Sequence, residues 1–352
     1  MEPIRGFGID RVAVAADAGG RSVLRMENLD TDLPLPPEAV LETVAGLATP
    51  EANSWLPFTG DLDLRAAISE FTEKRTGHRY DPVSEIVVTV GGMEGLLNVL
   101  LALVDPGDEV VVTDPTYAGI VNRIRLAGGT PSMPSGGYLD ENDWRTVCEL
   151  CRERDLFLVY DAAMERLLFD GRPLIHPLSL DGMSERTVVV GSLSKEHRMI
   201  GWRVGWVAGP ESTVTDVGWA HVYNTTCPVS IARRAGAAVL RGDQGHVEDC
   251  VIELERRRDT MLEGLSDWPF VTPAGGWSLL LDVTSLGFEP EEASQLLLEE
   301  SQIAATGMRG WGDEVAERYV RFVFSAEPVQ RLEEIPERLA GGKLAAAVSA
   351  LT

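Results

Sequence analysis

The chain has 352 residues, 44% hydrophobic and 24% charged, which is room for roughly two domains of about 150 residues and the composition of a soluble globular protein. Its net charge of −24 argues against nucleic acid or an anionic membrane surface as a partner, because either would be repelled. No window approaches roughly 18 uninterrupted apolar residues, so no membrane span is expected.

The opening "MEPIRGFGIDRVAVAADAGG" has no basic stretch followed by an apolar core. No secretory signal is therefore expected, and the expected compartment is the cytoplasm. The Pro-rich "LDTDLPLPPEAV" is expected to join the tail, where "GGWSLLLDV", "SQLLLEESQIAA" and "RYVRFVFSAEP" suggest a smaller α+β domain over 1–44 and 271–352. The intervening 45–270 reads as a large α/β domain. "EIVVTV" (85–90) is a strand, and "GGMEGLLNVLLALV" (91–104) a helix opened by glycines. "DEVVVTD" (108–114) is a strand followed by the helix "YAGIVNRIRLAGG". "LFLVYDA" (156–162) and "TVVVGSL" (187–193) are continuous apolar strands of the kind buried on both faces, and "GWRVGWVAG" adds another. "RRAGAAVLRGDQGHVEDCVIELERRRDTMLEGLSD" reads as one long helix leading out of the domain. The alternation predicts a mostly parallel sheet, with ligands at the carboxyl ends of its strands.

One place breaks the alternation. The helix ending near Gly129 is followed by "TPSMPSGGYLDEND" and then by another helix, with no strand expected between them. A parallel sheet normally returns to a strand after each crossover helix. That second helix, "DENDWRTVCELCRERD", carries Cys148 and Cys151 as a C-x-x-C. No second ligand pair follows, so they read as two helix cysteines and no metal is expected. With Cys227 and Cys250 they are too few for a disulfide framework.

The strand ends collect the chemistry. Asp161 ends "LFLVYD", and Lys195 follows "TVVVGSLS" in the same expected sheet. Gly91 and Gly92 open a helix whose N–H groups make an anion site. Ser192, Ser194 and Arg203 add donors suited to a phosphate, and Tyr117 offers an aromatic face. An amine for a Schiff base, a carboxylate to keep a pyridine nitrogen protonated, a stacking face and a phosphate cradle are the requirements of pyridoxal phosphate.

"SLSKEHRMIGWRVGW" closely resembles the lysine motif of the class I/II aminotransferases, fold-type I pyridoxal-phosphate enzymes. "VTVGGMEGLLNVLLALVDPGDEVVVTDPTYAG", "LVYDAAMERLLFDG", "YVRFVFSAEP" and "NSWLPFTGDLDLRAAI" resemble further motifs of that family in the same order. The resemblance implies a fold-type I architecture, a large domain with a mostly parallel sheet plus a small α+β domain. It implies transfer of an amino group between an L-amino acid and a 2-oxo acid through a Lys195 Schiff base, with Lys195 also moving the proton. Asp161 would pair with the ring nitrogen, and Tyr117 would stack on the ring. Gly92, Met93, Ser192 and Arg203 would surround the phosphate, and Arg321 would bind the substrate carboxylate. A homodimer with shared sites is implied, with Trp55 near the partner's cofactor.

The chain departs from that pattern in places. The family's Asn-Pro-x-Asn-Pro-Thr-Gly segment is reduced to "MPSGG" (133–137), and the stretch missing before it is on the order of 30 to 40 residues, about one βαβ unit. Its loss would remove strands from the middle of the large domain. Met164 and Trp55 each stand where a tyrosine is usual, and His197 and Arg198 follow the lysine where smaller or tyrosyl residues are common. His197 is expected to pack rather than catalyse. Arg123, Arg125 and Arg198 remain open as contacts for a substrate side chain. Elimination, cyclisation or oxidation of an amino acid is the alternative chemistry, and a non-catalytic protein that kept the fold is the alternative class.

Overall fold

The computed structural model describes residues 6, 8–19, 22–133 and 137–351. The first half of the chain forms α1 (Ile9–Gly19), β1 (Leu24–Arg25), α2 (Pro37–Leu47), α3 (Leu62–Thr76), β2 (Ile86–Val90), α4 (Gly92–Leu103), β3 (Glu109–Val111), α5 (Ala118–Leu126), β4 (Thr130–Ser132), α6 (Glu141–Glu153) and β5 (Leu158–Asp161). Then come β6 (Thr187–Ser192), β7 (Val204–Ala208), α7 (Glu211–Thr225), α8 (Arg233–Arg241) and α9 (Gly245–Gly264). The tail adds β8 (Phe270–Val271), β9 (Ser278–Asp282), α10 (Pro290–Ser301), β10 (Ile303–Ala304), β11 (Thr306–Gly307), β12 (Tyr319–Val323) and short terminal helices. Among the described residues no helix is long and apolar enough to cross a membrane.

A four-stranded sheet in the order β2-β7-β6-β5 carries the site. β2, β6 and β5 run in one direction, and β7 is reversed between β2 and β6. Side-chain alternation sends Val189 and Trp206 toward Leu64, Ile68 and Phe71 of α3 and Ala235 of α8. It sends Val188, Val190 and Val207 toward Leu96 and Val99 of α4, Ile124 of α5 and Val217 of α7. Helices cover both faces, so β6 and β7 are buried along their whole length.

α3 is fixed at both ends. Asp61 accepts from the Asp63 and Leu64 N–H groups, and Gly77, at φ 75°, closes the last turn. A second, antiparallel sheet in the order β11-β12-β9-β8 packs Leu279, Leu281 and Phe322 with Leu254 and Met261 of α9 and Leu297 of α10. β1 pairs with β10, Leu24 opposite Ile303, which ties the N-terminal segment to the tail.

Three expectations need correction. A strand does lie between α5 and α6: β4 pairs in parallel with β3. Its three residues include a proline, too short and too irregular to stand out by periodicity. The long helix over 233–267 is two helices, because the backbone turns at Gly242 after α8. β5 is not buried on both faces; Leu158, Val159 and Tyr160 are half-buried and Asp161 is exposed. β5 is a terminal strand, and unlike β2 at the other end of the sheet, which packs against α3, α4 and α7, it is not covered by helices on both faces. The β3–β4 pair forms a separate sheet whose Val111 is 69% exposed. Val110, Val112 and Val159 nevertheless pack against one cluster with α4 and α5. The two sheets thus share a helical layer without being hydrogen-bonded to each other. This is where a βαβ unit is short in the sequence. Of "MPSGG", residues 134–136 lie outside the described residues.

Candidate active site

The phosphate cradle is built where β2 turns into α4. Gly91 sits at φ 79°, in the left-handed region open to glycine, and its φ points the first N–H groups of α4 outward. The guanidinium of Arg203 lies so close that a Cβ on Gly91 would fall 2.3 Å from Nη2. Gly205 on β7 is also required, since its Cβ would stand 2.4 Å from the Gly91 carbonyl carbon. Arg203 Nη1 donates to the Ser194 hydroxyl at 3.3 Å and to the Ile200 carbonyl at 3.0 Å. The Ser192 hydroxyl accepts from the Ser194 N–H at 3.1 Å, and the Ser192 side chain faces Gly92. Arg123 Nε donates to the Met93 carbonyl at 2.9 Å and Nη1 to the Gly119 carbonyl at 2.8 Å, clamping this loop to the helix behind Tyr117.

Lys195 lies in the tight loop between β6 and β7. Its Nζ donates to the Leu29 carbonyl at 2.7 Å and sits 4.6 Å from the centre of the Trp277 ring. Burial is the main cause that pushes its pKa down to about 8. Arg321 and Arg203 push the same way, and Asp30 opposes them. At neutral pH a small neutral fraction of the amine is therefore available as nucleophile and proton acceptor.

Arg321 on β12 is buried. Its Nη2 donates to the Glu27 carbonyl at 2.6 Å, its guanidinium lies 4.4 Å from the centre of the Trp311 ring, and its Nε is without a partner. Burial lowers its pKa to about 10, so it stays cationic at neutral pH. Trp311 meets Tyr117 edge to face at 5.8 Å. Asp114, just before Tyr117 in the sequence, accepts from the N–H groups of Asp313, Val315 and Ala316, which holds the Trp311 loop against the tyrosine. Asp161 lies opposite Val190 in the register of β5 and β6, and Ala163 N–H donates to its carboxylate at 3.1 Å. Its place on the terminal strand leaves it exposed, while desolvation by the surrounding protein raises its pKa and the Ala163 N–H hydrogen bond pulls it back down.

The structure thus brings Gly92, Met93, Ser192 and Arg203 together, with Lys195 beside them and Arg321 and Tyr117 across Trp311. Trp55 is not in this group; it is 77% exposed on the surface of the single chain. Arg198 is fully engaged, donating to the carbonyls of Pro34, Glu196 and His246. Met164 packs against the core of the antiparallel sheet. His197 is buried against Phe71 and His246, and burial keeps it neutral. Trp277, Trp311 and the Leu29 carbonyl were not identified by sequence reasoning; only the isolated tryptophans in "GGWSLL" and "RGWGDE" marked two of them.

These residues fit pyridoxal phosphate. A helix N-terminus, two hydroxyls and a guanidinium converge for a phosphate, a buried amine of lowered pKa lies beside them, and a buried Arg321 Nε still lacks an acceptor. The fold and site are those of a fold-type I pyridoxal-phosphate enzyme. The model of the aminotransferase class I and II family matches residues 26–133 and 127–339, and the chain belongs to that family. The match is in two pieces, and the second begins again beside the shortened segment. An aromatic-amino-acid aminotransferase of Thermococcus litoralis is 28% identical over 86% of this chain and 87% of its own. An aspartate aminotransferase of Pyrococcus abyssi is 29% identical over 80% and 82%. The crystal structure of an aromatic aminotransferase from Pyrococcus horikoshii superposes with a TM-score of 0.87 at 26% identity, covering 97% of this chain and all of that one. The protein is a pyridoxal-phosphate-dependent aminotransferase acting on an amino acid and a 2-oxo acid.

Proposed function

We propose that Lys195 is the covalent anchor and proton carrier of an aminotransferase for amino acids with apolar or aromatic side chains. Pyridoxal phosphate, when bound, supplies the electron sink that makes loss of the Cα proton accessible. Gly92, Met93, Ser192 and Arg203 would hold its phosphate, Asp161 would pair with the ring nitrogen and Tyr117 would stack on the ring. Arg321 takes the substrate carboxylate as a fork through the donors it does not spend on Glu27. Lys195, once freed, carries the proton from Cα, and its lowered pKa makes it a base of suitable strength near neutrality.

The observation that carries the substrate class is the wall around Arg321. It is aromatic, Trp311 and Tyr117, while Arg123 and Arg198 are committed to backbone carbonyls. Both arginines already spend their Nε and Nη1 donors on the backbone, which leaves neither a free fork for a substrate side-chain carboxylate. That favours the chemistry for which the Thermococcus relative is named over that of the Pyrococcus abyssi relative.

The active unit is a homodimer, in which Trp55 reaches the partner's site. Exposed Trp55, Phe58, Leu62, Trp219 and Tyr223 support this, being more apolar surface than a lone soluble chain usually shows. The division into a large domain over 45–270 and a small one over 1–44 and 271–352 is supported by the two separate sheets and the β1–β10 pairing. Four free cysteines are in keeping with a cytoplasmic location.

Visible absorption of the protein loaded with pyridoxal phosphate tests the reading. Phenylalanine, tyrosine or leucine should bleach the band, aspartate should not, and Lys195→Ala should remove it with at least a ~1,000-fold loss of activity. Bleaching by aspartate alone would sink the substrate class. A band that survives Lys195→Ala would sink the lysine assignment.

A further inference from the structure

The four residues from Lys195 to Arg198 are each fastened to a different part of the chain. Lys195 reaches Leu29, Glu196 reaches Arg166, His197 contacts His246 at 3.0 Å, and Arg198 reaches Pro34. One of these ties differs in kind. Glu196, 3% exposed, accepts from the Arg166 backbone N–H at 2.8 Å and from Arg166 Nε at 2.6 Å. Arg166 ends the turn that begins at Asp161, the same turn in which Ala163 N–H orients the aspartate. A single buried carboxylate therefore joins the turn after Lys195 to the turn after Asp161.

The surroundings keep this pair in place. Arg166 Nη2 also donates to Gln244 at 3.2 Å. The Phe71 ring has the Arg166 guanidinium 5.4 Å from its centre and that of Arg75 at 4.7 Å. Arg75 pairs with buried Glu165, whose second oxygen lies 3.5 Å from His176. A cavity of about 20 Å³ lies among Glu165, Glu196, His176 and Ser192, room for about one water molecule. The cluster sets two carboxyl groups, Glu165 and Glu196, against two guanidiniums, Arg75 and Arg166.

Stability does not call for such a cluster, since a buried ion pair replaced by apolar residues of similar volume is commonly as stable or more so. What charges add is a fixed geometry. We infer that Glu196 and Arg166 are positioning residues, a buried brace that sets the distance and angle between Lys195 and Asp161. Lys195 and Asp161 would act on opposite ends of one cofactor ring. The inference rests on the assignment of Lys195 and Asp161 made above.

The test is Glu196→Gln, which keeps the shape but turns an amide toward Arg166. In the loaded enzyme the visible band should persist while its pH midpoint moves by about half a unit or more. The value of kcat should fall about tenfold, with KM within about twofold. The double variant Arg166→Met with Glu196→Leu should recover thermal stability and leave the midpoint and kcat displaced. If Glu196→Gln does not fold, Arg166→Lys gives the same reading with a smaller displacement. A wild-type midpoint and kcat in the single variant, or recovery of both in the apolar pair, would overturn the brace. Lys195→Ala separates the two levels. A band lost there but unmoved by Glu196→Gln defeats the brace alone, whereas a band retained in Lys195→Ala defeats the assignment beneath it.

Discussion

The two sides of the large sheet are built to different standards. On the side of β6 and β7 every residue is buried, helices cover both faces, and Gly205 lets the phosphate loop rest on the strand backbone. On the side of β5 and β3 the strands end their sheets, and Val111, Leu156, Phe157 and Asp161 are exposed. The chemistry divides the same way. Lys195 and the Gly91–Gly92 turn belong to the closed side, and Asp161 belongs to the open one. The covalent and anionic contacts tolerate little backbone movement, and they occupy the part of the fold that supplies least.

The largest effect that would sharpen this contrast is Gly205→Ala. Its methyl would enter the Gly91–Gly92 backbone, with an expected loss of about 3 kcal/mol in urea unfolding and weaker cofactor retention. A stable variant with normal retention would mean that the loop yields more readily than its packing implies. A matched pair of valines comes next. Val190→Ala, in fully buried β6, should cost about 2 kcal/mol, and Val111→Ala, on the open edge, should stay within about 0.5 kcal/mol. Equal losses would erase the distinction between the two sides.

The last effect concerns pH. Burial chiefly, opposed by Arg75, raises the Glu165 pKa from 4.5 to about 7. The native state then keeps a proton that the unfolded chain releases, so this group's contribution is full below pH 4.5 and lost as pH rises to about 7. Unfolding midpoints of wild type and Glu165→Gln should lie close together below about pH 4.5, and wild type should fall below the variant as pH rises through that window. A constant gap would place the Glu165 titration elsewhere.

Much of the site was legible because its residues sit in short motifs at strand ends. Lys195, Asp161 and the Gly91–Gly92 turn each follow an apolar residue or run by one or two positions, Tyr117 follows "VVV" by five, and Arg203 and Arg321 lie in equally local patterns. Trp277 and the Leu29 carbonyl reach Lys195 from 82 and 166 residues away, and no local pattern records such contacts. The brace escaped for the same reason, since the partner of Glu196 is 30 residues distant. For the fold, alternation showed that something was short after Gly129 but not that β4 would still form. An apolar run such as "LFLVYD" likewise does not reveal whether a second neighbour will cover it.

That missing neighbour leaves a mark at single amides. Leu158 and Ala162 donate their N–H groups to β6, so in a parallel strand the intervening Val159 and Asp161 N–H groups point to the side that carries no strand. Deuterium exchange along β5 should therefore alternate, slow at Leu158 and Ala162 and fast at Val159 and Asp161. This terminal strand would be sealed along one edge and as permeable as a terminus along the other.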